Sequence, residues 1–187
     1  MPIVAPGTIV QVEAGMTCRI QNYTSNAEVA CVRTFIRPKY AGSKFLIEVN
    51  TPSNTSDSPG AQGSNSNPYG GIQIQREING NGTFTNADYM GTDTSGLRIN
   101  VHLETSPWRA GEDDGIGSWN AGRRYRMKPC NAKIIDVPNY SLGDYIVYRL
   151  FLQRRGGFHQ FGAPFGFNTD NVYFNFHYGM IVHEIIQ

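Results

Sequence analysis

The sequence predicts an all-β fold: an antiparallel β-sandwich, jelly-roll-like, with long loops between its strands. Three observations lead there. Residues 97–104 read Leu-Arg-Ile-Asn-Val-His-Leu-Glu, a strict apolar/polar alternation, and only a strand with one buried face explains it, because successive side chains point to opposite sides of a sheet. The rhythm recurs wherever the chain is not rich in Gly, Asn, Ser and Pro, and no stretch of about a dozen residues carries helical spacing. Roughly eight to ten such segments, separated by turn signals, make a sandwich the natural architecture.

Taken in order, residues 9–12 and 18–20 are short apolar segments separated by Gly15. Residues 29–35 form a β-rich run that ends at Arg37-Pro38, since Pro38 cannot donate to a ladder. Residues 44–50 set Phe45, Ile47 and Val49 against Leu46 and Glu48. The tract 51–70 has no apolar periodicity and reads as an exposed loop. Ile72, Ile74 and Ile78 then share a face opposite Gln73, Gln75 and Glu77, and Asn79-Gly80-Asn81-Gly82 supplies positive-φ residues for a tight turn. A loop over 86–95 leads to the strand at 97–104. A further loop over 105–124 holds both tryptophans, and 125–135 carries one or two short strands broken at Pro129. Residues 145–154 make the longest apolar strand, with Ile146, Tyr148, Leu150 and Leu152 on one side. A Gly/Phe-rich loop over 155–170 precedes two closing strands, 172–176 and 179–186.

With 187 residues, the chain is expected to be a single domain over 1–187 with a short N-terminal arm over about 1–15. A chain of this size buries about 70% of its extended surface, enough for a core without metal or disulfide. Lys and Arg number 16 against 15 Asp and Glu, a net charge of +1, so no large field draws nucleic acid or an anionic membrane. Charged residues are only 17%, below the usual quarter or so, a profile of polar, turn-rich extracellular or virion-surface β proteins. Cys18, Cys31 and Cys130 are odd in number and lack CxxC spacing; buried free thiols are expected, with a Cys18–Cys31 bridge the alternative. The N-terminus lacks the basic start and apolar core of a signal peptide, and no apolar run of 18 or so residues exists.

Several pieces recur in a fixed order: Pro-Gly-Thr-Ile-Val-Gln-Val at 6–12, Gly-Ser-Lys-Phe-Leu-Ile-Glu-Val at 42–49, and Ile-Gln-Ile-Gln-Arg-Glu-Ile-Asn-Gly at 72–80. Ile-Asp-Val-Pro at 135–138 then precedes Tyr-Ile-Val-Tyr-Arg-Leu at 145–150, and Val-Tyr-Phe-Asn at 172–175 leads to Met-Ile-Val-His-Glu-Ile at 180–185. This series resembles a family of bacteriophage virion proteins found as tail-fibre or related surface-appendage domains. The resemblance implies a β-sandwich that assembles as a homotrimer, contacts other virion proteins and carries no catalytic chemistry or cofactor. It places the chain in the virion after synthesis in the host cytoplasm. The tracts 51–70, 105–124 and 155–170 are longer than the family pattern, and no long stalk precedes the domain. A capsid decoration protein (head fibre or cement) is the alternative within the virion; a carbohydrate-binding module and a depolymerase are alternatives outside the scaffold class.

Catalytic and metal sites find no support in the spacing. His102, His159, His177 and His183 do not form a compact ligand set, and Glu112-Asp113-Asp114 lacks the alternating ligands of a calcium loop. Asp88, Asp93, Asp113 and Asp114 offer no selected pair for glycoside hydrolysis. No nucleophile elbow or P-loop occurs. The basic cluster Arg123, Arg124, Arg126 and Lys128 is too narrow for nucleic acid and suits pairing with acidic loops or a neighbouring subunit. Trp108 and Trp119, with Tyr69 and Tyr89, are the candidate contacts for host-surface polysaccharide, because apolar sugar faces pack on flat aromatic rings. Phe158, Phe161, Phe165 and Phe167 make the candidate interface with another subunit or virion protein, being too apolar to remain in water.

Overall fold

Alternation in the sequence becomes alternation of burial. In β4 (Lys44–Asn50), Phe45, Ile47 and Val49 are buried while Lys44, Leu46 and Glu48 are half-buried. In the computed structural model, residues 5–17, 21–23, 25–51, 53–56, 70–87, 103–104, 131–154, 158–161 and 178–187 are described. Every regular element among them is a strand: β1 (Ile9–Thr17), β2 (Gln21–Tyr23), β3 (Ala27–Ile36), β4, β5 (Ser53–Ser56), β6 (Gly70–Ile78), β7 (Thr85–Asn86), β8 (Leu103–Glu104), β9 (Asn131–Asp136), β10 (Ile146–Arg154), β11 (Phe158–Phe161) and β12 (Tyr178–Ile185).

Two antiparallel sheets form the sandwich. One has the order β1-β12-β4-β9; the other runs β3-β10-β6-β7, with β8 also pairing β6. β8 lies against Gly71 and Ile72 and β7 against Gln75 and Arg76, so the two short pieces share one edge. The winding is that of a jelly roll: the pairs β1·β12, β3·β10, β4·β9 and β6·β7 nest inside one another along the chain, outermost to innermost. Between the sheets lie Val29, Val32 and Ile36 of β3, Ile72 and Ile74 of β6, and Ile146, Tyr148, Leu150 and Leu152 of β10. Facing them are Phe45, Ile47 and Val49 of β4 and Tyr178, Met180 and Val182 of β12.

Small residues let the sheets meet at one corner. A Cβ on Gly15 would run into the main-chain carbonyl of Arg33, and one on Gly179 into the carbonyl of Gly15; glycine is the residue that permits such backbone approach. Residues 9–15, part of the expected arm, are thus strand β1 and pair with β12.

Two tracts expected as loops contain strands. β5 and β11 pair with each other, and β11 also pairs with β2, giving a third sheet of order β2-β11-β5. Their sequences, Ser-Asn-Thr-Ser and Phe-His-Gln-Phe, have no core-facing alternation to betray them, because a main-chain ladder needs none. Of the strand expected at 97–104, Leu103 and Glu104 are described; the expected strand at 172–176 and the segments at 18–20 and 125–130 lie outside the described residues.

The two ends of the sandwich differ. At one end sit the turns 37–43, 79–84 and 137–145, held by side chains. The buried carboxylate of Glu184 accepts hydrogen bonds from the amides of Lys39 (2.9 and 3.0 Å) and Tyr40 (3.0 Å) and from Ser43 Oγ (2.9 Å). The Tyr140 hydroxyl accepts from the Ser43 amide (2.8 Å) and donates to the Tyr40 carbonyl (2.5 Å). Asn79, at φ 56°, donates to Asp144 (2.6 Å) and accepts from the Tyr145 amide (3.0 Å). From the opposite end leave the connections 18–26, 51–69, 105–130 and 155–177, and the third sheet draws one strand from each of three of them.

Candidate interaction surfaces

Charged groups inside the sandwich act as a brace. Asp136 of β9 is 2% exposed; it accepts from Arg76 Nη1 of β6 (2.5 Å) and from the Tyr148 hydroxyl of β10 (2.9 Å), so three strands of both sheets meet on one carboxylate. Burial, and then the charge of Asp136, push the Tyr148 phenol well above its usual 10.0. Among the described residues no group of three or more His, Cys, Asp or Glu is placed to hold a metal ion.

The outer face of the β1-β12-β4-β9 sheet is apolar. Opposite residues in antiparallel strands share a face, and the registers align Val12, His183, Leu46 and Ile135 in one row and Ala14, Ile181, Glu48 and Lys133 in the next. Val12 and Ile135 are each 52% exposed, and Met16 is 48% exposed; Ile9 and Val137 add to the patch. Strand β1 is inverted relative to the usual rule. Its Gln11 and Glu13 lie opposite Glu184 and Val182, on the side that faces the core, while Val12 and Met16 face out. β9 keeps the usual order over most of its length, with Ala132 and Ile134 against the core and Asn131 and Lys133 outside, and departs from it at Asp136 inside and Ile135 outside. Charge enters this face at Lys44, on the same side of β4 as Leu46, and at Glu48, which pairs with Lys133 at 2.5 Å and lies 3.6 Å from His183 Nε2. The Lys133 hydrogen bond holds the Glu48 carboxyl below its ordinary value. Both ring nitrogens of His183 are buried without a hydrogen-bond partner.

The outer face of the other sheet is built from amides, guanidinium groups and rings. Its rows run Phe35–Val147–Glu77, then Arg33–Arg149–Gln75–Asn86, then Glu28–Phe151–Gln73. Gln75 Nε2 and Gln153 Nε2 both donate to Gln73 Oε1 (2.9 and 3.1 Å), and Asn26 Nδ2 donates to Gln153 Oε1 (3.1 Å). Arg149 donates twice to Gln75 Oε1 (3.0 and 2.8 Å) and once to Glu28 (3.2 Å), and lies 3.6 Å from the Phe84 ring centroid. Glu28 also takes two hydrogen bonds from Arg33 (2.5 and 2.7 Å). The Arg33 hydrogen bond, with the charges of Arg33 and Arg149, lowers the Glu28 carboxyl against an opposing effect of burial.

Of the residues singled out by sequence, Phe158 and Phe161 are among the described residues. Tyr69, Tyr89, Trp108, Trp119, Phe165 and Phe167 lie outside the described residues. Phe158 and Phe161 are positions of β11, opposite Ser56 and Ser53 of β5 in the third sheet. Of these eight, Tyr69, Trp108, Trp119 and the four phenylalanines belong to connections that leave from the same end of the sandwich, and Tyr89 to the segment between β7 and β8. The amide row escaped the sequence reading. Its signal was the Gln73/Gln75 alternation opposite Ile72 and Ile74; its meaning required the β6–β10 register. No protein-family model matches the chain, and no curated protein matches it.

Proposed function

We propose that this chain is a structural protein of a bacteriophage virion, a homotrimeric tail-fibre or tail-appendage component that binds rather than catalyses. The inverted strand β1 carries the proposal. Val12 and Met16 stand in water while Gln11 and Glu13 face inward, an arrangement that costs stability in an isolated subunit and suits a face covered by another subunit. From strand spacing, the face covers roughly 500 Å², more than half of the roughly 800 Å² that each partner contributes to a standard interface. The jelly-roll winding is one that viral capsid and lectin domains share, and the three-fold stoichiometry and the virion setting follow from the family resemblance. In this arrangement the end with the long connections, bearing Trp108 and Trp119, meets host-surface polysaccharide, and repetition around the trimer turns weak contacts into avidity. Capsid decoration is the second reading, favoured by the same face and the same winding.

Light scattering on the purified chain tests the assembly: a mass of three copies of 20.8 kDa is expected, and a monomer at tens of micromolar would remove the basis of the proposal. Immunogold labelling of intact particles with an antibody to the chain separates the two readings, since label on the tail supports the appendage and label over the head supports decoration.

A further inference from the structure

We infer that the outer face of the β3-β10-β6 sheet carries a binding site for a neutral saccharide, centred on Gln73, Gln75 and Gln153 with Phe151 beside them. The hydrogen-bond inventory of the row points to this ligand. Gln73 Oε1 accepts two bonds and Gln75 Oε1 accepts two from Arg149, so these carbonyl oxygens are saturated and each amide is fixed in one orientation. What remains follows by count: an amide has two N–H donors and its oxygen two lone pairs. Gln75 therefore keeps one N–H, and Gln153, which spends one donor on Gln73 and one lone pair on Asn26, keeps one donor and one acceptor side by side. That adjacent donor–acceptor pair matches two neighbouring hydroxyls of a sugar ring. Gln75 and Gln153 are both half-buried, so their remaining groups are reachable, as is the half-buried ring of Phe151.

Charge on this face selects against an anion. The guanidinium groups of Arg33 and Arg149 are both tied to Glu28, Glu77 on the adjoining row is a second acid, and the third guanidinium, Arg37, lies over the Phe35 ring at the turn end, away from the Gln row. A neutral polyol loses nothing by desolvation of charge there. Preorganisation adds to the case, because side chains already held in one geometry give up little entropy on binding. The row also ends near the elaborated end of the sandwich: Gln153 lies opposite Gly71, two positions from Tyr69 in the chain. The inference rests on described side chains and does not need the virion proposal.

The test is binding of the full chain to immobilised neutral oligosaccharides of glucose, galactose, mannose and N-acetylglucosamine, with sulfated oligosaccharides alongside. Binding to at least one neutral member is expected, with Gln153→Ala and Gln75→Ala each weakening it roughly tenfold while far-UV circular dichroism is unchanged. Should a variant fail to fold, the side-chain NH₂ resonances of Gln75 and Gln153 in the unaltered protein report directly: they shift on titration with the best neutral oligosaccharide. No binding to any neutral member, unaltered affinity in both Gln variants, unmoved amide resonances or a salt-sensitive preference for sulfated chains would each overturn the inference. Binding abolished by Trp108→Ala but indifferent to Gln153→Ala also overturns it, and moves the contact to the long connections. The light-scattering mass is a separate readout, so loss of saccharide binding and loss of trimer are distinguishable.

Discussion

The two outer faces of one sandwich obey opposite rules. On the β3-β10-β6 side, alternation behaves as expected: Leu150 and Leu152 point in, Arg149 and Gln153 point out, and the polar groups satisfy one another. On the β1-β12-β4-β9 side the edge strands turn Val12, Met16 and Ile135 outward, and His183 sits among them with neither nitrogen hydrogen-bonded and Nε2 3.6 Å from Glu48. The same fold thus presents one face whose polar side chains largely hydrogen-bond to one another and one whose edge strand β1 leaves Val12 and Met16 in water. The difference teaches where association is to be sought, since burial of Val12 and Ile135 needs a surface that the described residues do not supply.

The largest expected effect comes from a change that should not distinguish the faces. Arg76→Ala leaves the Asp136 carboxylate and Tyr148 hydroxyl buried without their cation, and losing one partner of a buried pair costs about 3 kcal/mol. Chemical denaturation measures this, and the midpoint should fall to the same extent in dilute and concentrated protein. A concentration-dependent loss would mean that the brace, rather than the outer face, governs association, and the contrast drawn above would fail.

Next in size is Val12→Asp. Placing a charge in the row Val12–His183–Leu46–Ile135 should weaken self-association by about 2 kcal/mol per interface, the burial of one aliphatic side chain, and shift the sedimentation profile toward the monomer. Subunit stability should change little, because the side chain is already half in water. Phe35→Asp makes the matched control on the opposite sheet: Phe35 is 48% exposed, and its replacement should leave the mass unaltered. If both substitutions dissociate the protein equally, the faces are equivalent and the inverted strand has no special role.

How far the sequence revealed these faces depends on what each strand needs to be recognised. Alternation alone predicts the interiors of β4, β6 and β10, because Phe45/Ile47, Ile72/Ile74 and Leu150/Leu152 recur at period 2 beside polar neighbours. The same rule does not orient β1, read above only as a short apolar segment over 9–12 within an N-terminal arm, because Val-Gln-Val-Glu-Ala-Gly-Met-Thr alternates with its apolar residues on the side that turns out to be the exposed one. Only the pairing with β12, which fixes Glu13 opposite the buried Val182, shows which side faces in. Asp136 likewise shows in the sequence as a single acid after Ile134-Ile135, and its partners Arg76 and Tyr148 stand 60 and 12 residues away, a distance no local pattern spans. The third sheet was illegible because β5 and β11 carry no period at all.

A smaller effect tests the polar face. Arg149 connects Gln75, Glu28 and the ring of Phe84, so Arg149→Ala removes charge-assisted hydrogen bonds and a cation–π contact at once, for about 1–2 kcal/mol of stability. A double-mutant cycle with Gln75→Ala should give a coupling energy of about 1 kcal/mol. Additive losses would mean that the row is a set of separate solvated side chains.

The smallest effect is the pH dependence, and its sign follows from the carboxylates. Glu28 is held below the ordinary 4.5 chiefly by its hydrogen bond from Arg33. A carboxylate with a depressed folded-state value stabilises the protein above the unfolded value and ceases to do so as pH falls through the folded one. Stability should therefore decline below about pH 4.5, and Glu28→Gln should blunt that decline. Arg33 is 54% exposed, so solvent screening keeps the contribution well under 1 kcal/mol. Glu48 is depressed in the same direction by Lys133, but it lies on the face proposed for association. Because Lys133 belongs to the same chain, Glu48→Gln should alter the acid response of the dilute monomer slightly and that of the assembled protein more, whereas Glu28→Gln should act on both alike. A response to Glu48→Gln that is the same at every protein concentration would place Glu48 outside the interface, since only a covering subunit can make its protonation depend on protein concentration.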